Sequence, residues 1–327
     1  MLQYLVILLD DSSVSFCHYE NTRGAHRLIG IEDLKRGIRF AMKENLNIQF
    51  VYPDYALPQE YEDVIESIDH TKIKPAACGT DADVAVVDGC GALEGMALRK
   101  GVVYVVRTDR AGLFGGHAAV SGALAGADRL NVVITDVDRF TEEDFGEYRK
   151  VLEALSDTLE RLYAEGKSPQ LNLLTDRMML ESMNNCGAGD STITLAPDGR
   201  FYVCPAFYCM PRADGSEKSL AEVCRKGFSI GDVQSGPDIG NPQLYKLGHA
   251  PLCRACDAYQ CKRCVWMNRR VTCEVNTPGR EQCVVAHLER NASRGLLERI
   301  RRHGSFLPGR EIEEINYLDP FDVRELW

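Results

Sequence analysis

Up to about residue 178 the chain alternates short apolar runs with amphipathic stretches. The apolar runs are YLVILLD (4–10), IQFVYP (48–53), DVAVVD (83–88), VVYVVR (102–107), NVVITD (131–136) and LNLLTD (171–176). They are aliphatic or β-branched and lack strict alternation, as parallel strands covered on both faces require. Between them, IEDLKRGIRFAMKEN, QEYEDVIESID, GALEGMALRK, GGHAAVSGALAGA and TEEDFGEYRKVLEALSDTLERLYAEG read as helices. Thr141 followed by Asp144 predicts a capped start for the last of these. The alternation predicts six βα units and an α/β fold with a parallel sheet. A flavodoxin-like open sheet gives the same pattern.

Beyond residue 178 the texture changes. Glycine, proline and cysteine dominate 186–283 and helical patterns are scarce. Such a segment has little apolar core and holds its shape by ligation. A helix resumes near Gln282 and runs through AHLERNASRGLLERIRR. The tail carries Tyr317, Phe321, Leu326 and Trp327, and is expected to dock on the body.

Cysteine usage sharpens this picture. Ten of the 13 cysteines lie between Cys186 and Cys283. The first part reads Cys186-x12-Gly199-x4-Cys204 with Cys209 close behind, and the second reads Cys253-x2-Cys256-x4-Cys261-x2-Cys264, followed by Cys273 and Cys283. A C-x2-C pair sets two soft thiolates on one turn, and four thiolates suit either zinc or an iron–sulfur cluster. Disulfides or plain thiols are a third reading, disfavoured because the apolar N-terminal stretch Leu2–Leu9 lacks the flank and cleavage site of a secretory signal. No run approaches a membrane span, so the expected location is cytoplasmic. The net charge of −10 argues against a nucleic-acid partner. Arg254, Lys262, Arg263, Arg269 and Arg270 crowd the second cysteine block, either as compensation for thiolate charge or as a solvated basic surface.

The cysteine order, the stretch CGAGDSTITLAPDGRFYVCPAFY (186–208) read as a hairpin, and the glycine turn SIGDV (229–233) resemble the SPASM domain of radical-SAM enzymes that modify ribosomal peptides. In the second block the gaps of four and two residues replace the commoner five and three. The chain lacks the C-x3-C-x2-C motif that would hold the cluster binding S-adenosylmethionine. The loop after the first strand, DDSSVSFCHYEN, offers only Cys17. The whole chain, and YLVILLDDSSVSFCHYEN (4–21) above all, resembles the CXXX-repeat peptide maturase family.

That resemblance implies a partial (β/α)6 barrel over 1–178, a SPASM-like iron–sulfur domain over 179–284, and a C-terminal helix and docking tail over 285–327. It implies one or two [4Fe-4S] clusters and no S-adenosylmethionine. One cluster would take Cys186, Cys204, Cys264 and Cys209; the other would take Cys253, Cys256, Cys261 and Cys283, with Cys273 as the alternative fourth ligand.

Other chemistry-bearing residues stand outside this scaffold. Aspartate closes nearly every predicted strand: Asp10, Asp11, Asp54, Asp88, Asp109, Asp136, Asp138 and Asp176. Carboxylates at the carboxyl ends of parallel strands can form a ring for a cation or basic peptide, or each can cap its own helix. Cys17 beside His18 could give a reactive thiolate, although neighbours in sequence rarely face the same way. Asp10, Asp11, Cys17 and Asp136 are therefore the candidates for catalysis. GLFGGHAAVSG, with His117, could offer amides to a phosphate or simply pack closely. Cys78, Cys90 and Cys224 fall outside the scaffold and read as plain thiols.

Two functions compete. In the first, the chain is a maturation partner that binds a cysteine-repeat precursor peptide or its radical-SAM enzyme, with clusters for electron transfer or thiol coordination. In the second, it is a free-standing enzyme that uses the barrel mouth, and its cysteines form a structural zinc domain.

Overall fold

A computed structural model describes residues 2–21, 26–79, 81–209, 228–308, 310 and 321. Cys224 and the tail residues Tyr317, Leu326 and Trp327 lie outside them. In chain order the strands are β1 (Tyr4–Leu8), β2 (Asn47–Val51), β3 (Thr71–Pro75), β4 (Val84–Asp88), β5 (Val103–Thr108), β6 (Arg129–Ile134), β7 (Gln170–Leu171), β8 (Thr192–Leu195), β9 (Arg200–Tyr202), β10 (Ser229–Asp232) and β11 (Gly236–Pro237). The helices are α1 (Ile31–Lys43), α2 (Gln59–Ile65), α3 (Arg110–Leu124), α4 (Glu142–Ala164), α5 (Asp176–Met179), α6 (Pro205–Tyr208), α7 (Val265–Thr272) and α8 (Arg280–Arg301). The chain is thus mixed α/β. Its contacts divide it into two compact units, Met1–Val86 with Gly187–Lys246, and Val87–Cys186 with Leu247–Trp327.

In the first unit the strand order is β11-β10-β9-β8-β1-β2-β3-β4. Strand β1 pairs in parallel with both β2 and β8. The run β8-β9-β10-β11 is antiparallel, so the stretch read as a hairpin is one. Its turn is closed by Asp198, whose carboxylate accepts from the Arg200 amide at 3.1 Å and the Tyr202 hydroxyl at 2.8 Å. Gly231 has φ +127°, and an added Cβ would strike the Gly236 carbonyl, so the SIGDV turn requires glycine. Helix α1 buries Leu34, Gly37, Ile38 and Ala41, one face at helical spacing. That face covers Leu5, Ile7, Ile193, Leu195 and Phe201 of the sheet.

Strand β3 was missing from the hydrophobic pattern because its residues, TKIKP, bury only Ile73. Its lysines are satisfied sideways. Lys74 Nζ lies 2.9 Å from Asp81 and 4.1 Å from the centre of the Tyr52 ring, and Lys72 pairs with Glu66 and Asp81.

In the second unit β5, β6 and β7 run parallel. The expected strand 171–176 shrinks to two residues because the Asn172 side chain replaces the ladder. Its carbonyl accepts from Val132 N–H at 2.8 Å, and its amide donates to Val132 C=O at 2.9 Å. The expected helix in GALEGMALRK is only a 3₁₀ turn, Cys90–Leu93, bounded by Gly89 and Gly95 at positive φ. Helix α4 opens with the expected capping box. Thr141 N–H donates to Asp144 at 2.8 Å, and Asp144 N–H donates to Thr141 Oγ1 at 3.3 Å. Along α4, Tyr148, Leu152, Leu155 and Leu159 are buried, and the α8 residues Leu288, Ala292 and Leu296 are buried in the same unit. Arg299 of α8 reaches Glu160 and Asp157 of α4. Among the described residues no helix is long and apolar enough to cross a membrane.

The cap yields a direct expectation. Thr141→Ala should lower unfolding stability by about 1 kcal/mol, read by urea denaturation, because the Asp144 amide loses its partner. Equal midpoints for variant and parent would show that α4 starts without the box.

Candidate metal centre

The second cysteine block is wound from short turns. The amides of Cys253 and Arg254 donate to Ala250 C=O at 3.1 and 2.9 Å, Cys256 donates to Cys253 at 3.1 Å, and Cys261 donates to Ala258 at 3.0 Å. Backbone amides also reach the sulfurs. Ala258 N–H points to Cys256 Sγ at 3.4 Å and Arg263 N–H to Cys261 Sγ at 3.5 Å. Arg263 adopts a positive φ of 41°, a conformation few side-chain-bearing residues take. Cys283 joins from the first turn of α8.

Together Cys253, Cys256, Cys261 and Cys283 line one cavity, with Met183, Arg263 and His287. Those four are the set that the family resemblance assigns to one cluster. Cys273 is exposed at the left-handed end of α7 and does not line the cavity. The other set is drawn from both compact units. In the second, the Cys186 amide donates to Lys262 C=O at 2.8 Å, next to the turn that leads to Cys264 at the head of α7. In the first, Cys204 and Cys209 flank α6, and the Cys209 amide donates to Pro205 C=O at 2.9 Å.

Burial pushes the Cys261 thiol up, and the nearby Cys253, Cys256 and Glu289 push it the same way. Gathered thiolates therefore need a positive partner, and metal binding would release their protons. Among the described residues no three His, Cys, Asp or Glu side chains are gathered as a single metal ion would need. The donor types themselves suit either zinc or an iron–sulfur group. The cavity offers four soft sulfurs around one space, two of them receiving N–H···S contacts of the kind that tune such groups.

Behind the sulfurs lies a buried polar layer that the cysteine spacing did not reveal. Asp257 is fully buried. It meets Arg290 at 3.0 Å and Arg177 at 3.7 Å, and its carbonyl accepts from Arg177 Nε at 2.9 Å. Gln260 donates to Ala286 C=O at 2.7 Å and to Glu289 at 3.3 Å, and Glu289 accepts from the Tyr148 hydroxyl at 2.7 Å. Arg263 donates to Asn185 Oδ1 at 2.8 Å. These contacts tie the cysteine turns to α5 and α8. Of the five basic residues noted in the block, Arg263 is buried, whereas Lys262, Arg269 and Arg270 are exposed.

Most of the strand-end aspartates are engaged in hydrogen bonds or ion pairs. Asp109 caps α3 through Gly112 N–H at 2.7 Å, and Asp136 accepts from Arg110 N–H at 2.8 Å and pairs with its guanidinium. Asp138 pairs with Arg270, and Asp176 pairs with Arg129 at 2.7 Å. Asp54 and Asp88 are exposed. In the first unit Asp10 is fully buried and accepts from Ser12 N–H at 2.8 Å and Ser12 Oγ at 2.6 Å, while Asp11 accepts from the Tyr208 hydroxyl. Cys17 and His18 are both partly exposed. In the glycine stretch of α3, an added Cβ at Gly116 would come within 2.6 Å of Cys90 Cβ, which is close packing, and His117 Nδ1 lies 2.8 Å from Phe114 C=O.

No family model matches the chain, and no curated protein matches it. Solved structures do. A tagged form of anSMEcpe with bound AdoMet aligns with a TM-score of 0.61 at 12% identity, covering 92% of this chain and 100% of that one. Native anSMEcpe with bound AdoMet and the Kp18Cys peptide aligns with a TM-score of 0.58 at 12% identity, covering 91% and 99%. anSMEcpe is a radical-SAM/SPASM anaerobic sulfatase-maturating enzyme. At this identity the likeness establishes a related fold.

Burial raises the Glu289 carboxyl from its ordinary 4.5 to about 7, against the hydrogen bonds from Tyr148 and Gln260, which lower it. The folded chain then holds a proton that the unfolded chain has released. The contribution of this group to stability is full below about 4.5, declines as pH rises, and is lost through about 7. Relative to Glu289→Gln, the parent should lose up to roughly 3 kcal/mol between pH 4.5 and pH 8. Denaturation of both at several pH values reads the difference. Parallel curves would place Glu289 in a wetter setting.

Proposed function

We propose that this chain is a maturation partner for a ribosomally made cysteine-repeat peptide. It binds the precursor, or the radical-SAM enzyme that modifies it, and carries auxiliary iron–sulfur groups on a radical-SAM/SPASM-type scaffold. The observation that carries this reading is the convergence of Cys253, Cys256, Cys261 and Cys283 on one cavity. It occurs in a chain whose fold is shared with an AdoMet-bound maturase but whose loop 10–21 contains one cysteine, Cys17.

On this proposal 1–178 is the partial (β/α)6 barrel and 179–284 the SPASM-like domain. Cys253, Cys256, Cys261 and Cys283 hold one group, and Cys186, Cys204, Cys209 and Cys264 a second. Such a group supplies one-electron transfer, or an iron that accepts a substrate thiol. The chain's own residues do the rest. The amides of Ala258 and Arg263 steady the sulfurs, the Arg263 guanidinium offsets their charge, and the Asp257–Arg290–Arg177 layer fixes the turns. Removing one partner of such a buried ion pair costs about 3–5 kcal/mol, so Asp257→Ala should loosen the whole block.

Two measurements test the reading. The reduced, iron-loaded chain incubated with S-adenosylmethionine should form no 5′-deoxyadenosine above a cluster-free control, because one cysteine cannot replace three; its formation would make the chain a radical enzyme in its own right. In a reconstituted reaction, a radical-SAM enzyme should modify a cysteine-repeat peptide only when this chain is present, and Cys256→Ala should abolish the support. Full modification without the chain would contradict the partner role.

A further inference from the structure

Away from the cysteines, the first unit carries an open groove of about 630 Å³ between α1 and the β10–β11 turn. Its two sides differ in chemistry. Arg36, Arg39 and Lys43 recur at three- and four-residue spacing on α1, so they share one face of the helix and line one wall. Arg36 pairs with Asp33 at 3.1 Å. Arg39 and Lys43 are exposed, and among the described residues neither has a carboxylate partner. Glu44 also lines the groove, so cations outnumber carboxylates there three to one. The floor and far wall are apolar. Leu2, Phe40, Val233 and Pro237 are partly exposed, and Phe40 leans on the buried Phe201 with ring centres 5.1 Å apart.

That combination selects the occupant. At the far wall the Gln234 and Ser235 amides already donate to Asp232 Oδ1, each at 2.9 Å, so they are not offered to a compact anion such as phosphate. Strand β11 is the sheet edge, but Pro237 has no N–H for a further strand. Recognition therefore falls to side chains. A nucleic acid would run on from the groove across the surface of a chain with net charge −10. A short peptide with carboxylates on one side and apolar side chains on the other matches wall and floor together.

We propose that this groove docks an acidic segment of a peptide partner, its carboxylates meeting Arg39 and Lys43 and its apolar side chains covering Phe40 and Val233. The proposal rests on the reading of the chain as a peptide-binding maturation partner, and it names the chemistry of the segment bound. It does not depend on what the cysteines hold.

The test titrates the full chain into a fluorescein-labelled peptide of repeating Glu-Leu-Glu-Phe, read by fluorescence anisotropy. Binding is expected, declining as salt rises. Arg39→Glu with Lys43→Glu should weaken it roughly tenfold at an unchanged urea midpoint, since both positions are exposed. Lys100→Glu with Lys150→Glu makes the same charge change at exposed positions of the second unit and should bind as the parent does. Peptides with Ser in place of Leu and Phe, or Lys in place of Glu, should also bind about tenfold more weakly. No binding of the acidic peptide, equal losses in the two double variants, or tighter groove-dependent binding of single-stranded DNA overturns the inference. Support of peptide modification by the chain, lost in Cys256→Ala, is read separately, so the groove can fail while the partner reading stands.

Discussion

Sulfur atoms brought together inside a protein cannot all become thiolates without a cation. That constraint bears on the cysteine cavity of the second compact unit. Four cysteines from three turns and a helix start face one space, and burial already resists ionisation at Cys261. The surrounding structure supplies what a thiolate group needs: amide hydrogens aimed at two sulfurs and a buried guanidinium at the wall.

The first compact unit follows a different physics. There, apolar packing between α1 and the strands sets the structure, and the close approach of Gly37 to Leu195 leaves no room for a Cβ. Parallel strands β1, β2, β3 and β4 place the loop after β1 at their carboxyl ends, the position where ligands gather in such sheets. In that loop Asp10 and Asp11 are buried, Asp10 accepting from Ser12 and Asp11 from the Tyr208 hydroxyl, and Cys17 is partly exposed.

Much of this was legible in the sequence, and what was not has physical reasons. The strands in YLVILLD and VVYVVR could be read because burial on both faces leaves only aliphatic residues. Strand β3 could not, since its lysines bury their stems and send their charges to Asp81 and Glu66, contacts made by tertiary structure. The cysteine turns announced themselves by spacing, and Cys283 could be grouped with them only through the family resemblance. His287, Glu289 and Arg290 stayed hidden because charged residues in a helical stretch normally face water; here α8 is enclosed along most of its circumference and they point inward. The one available signal was polarity all round a helix ending in so apolar a stretch as GLLERI. For the strand-end aspartates, the capping alternative describes Asp109, and ion pairs describe Asp136, Asp138 and Asp176.

The central claim is that the cysteine cavity is built for an iron–sulfur group. The most direct measurement is the iron, acid-labile sulfide and zinc content of the chain purified without oxygen, together with its visible spectrum. The account predicts a brown protein containing iron and sulfide, with both lost when Cys256 and Cys261 are replaced by alanine. A colourless, folded protein that contains zinc, or no metal at all, would contradict it.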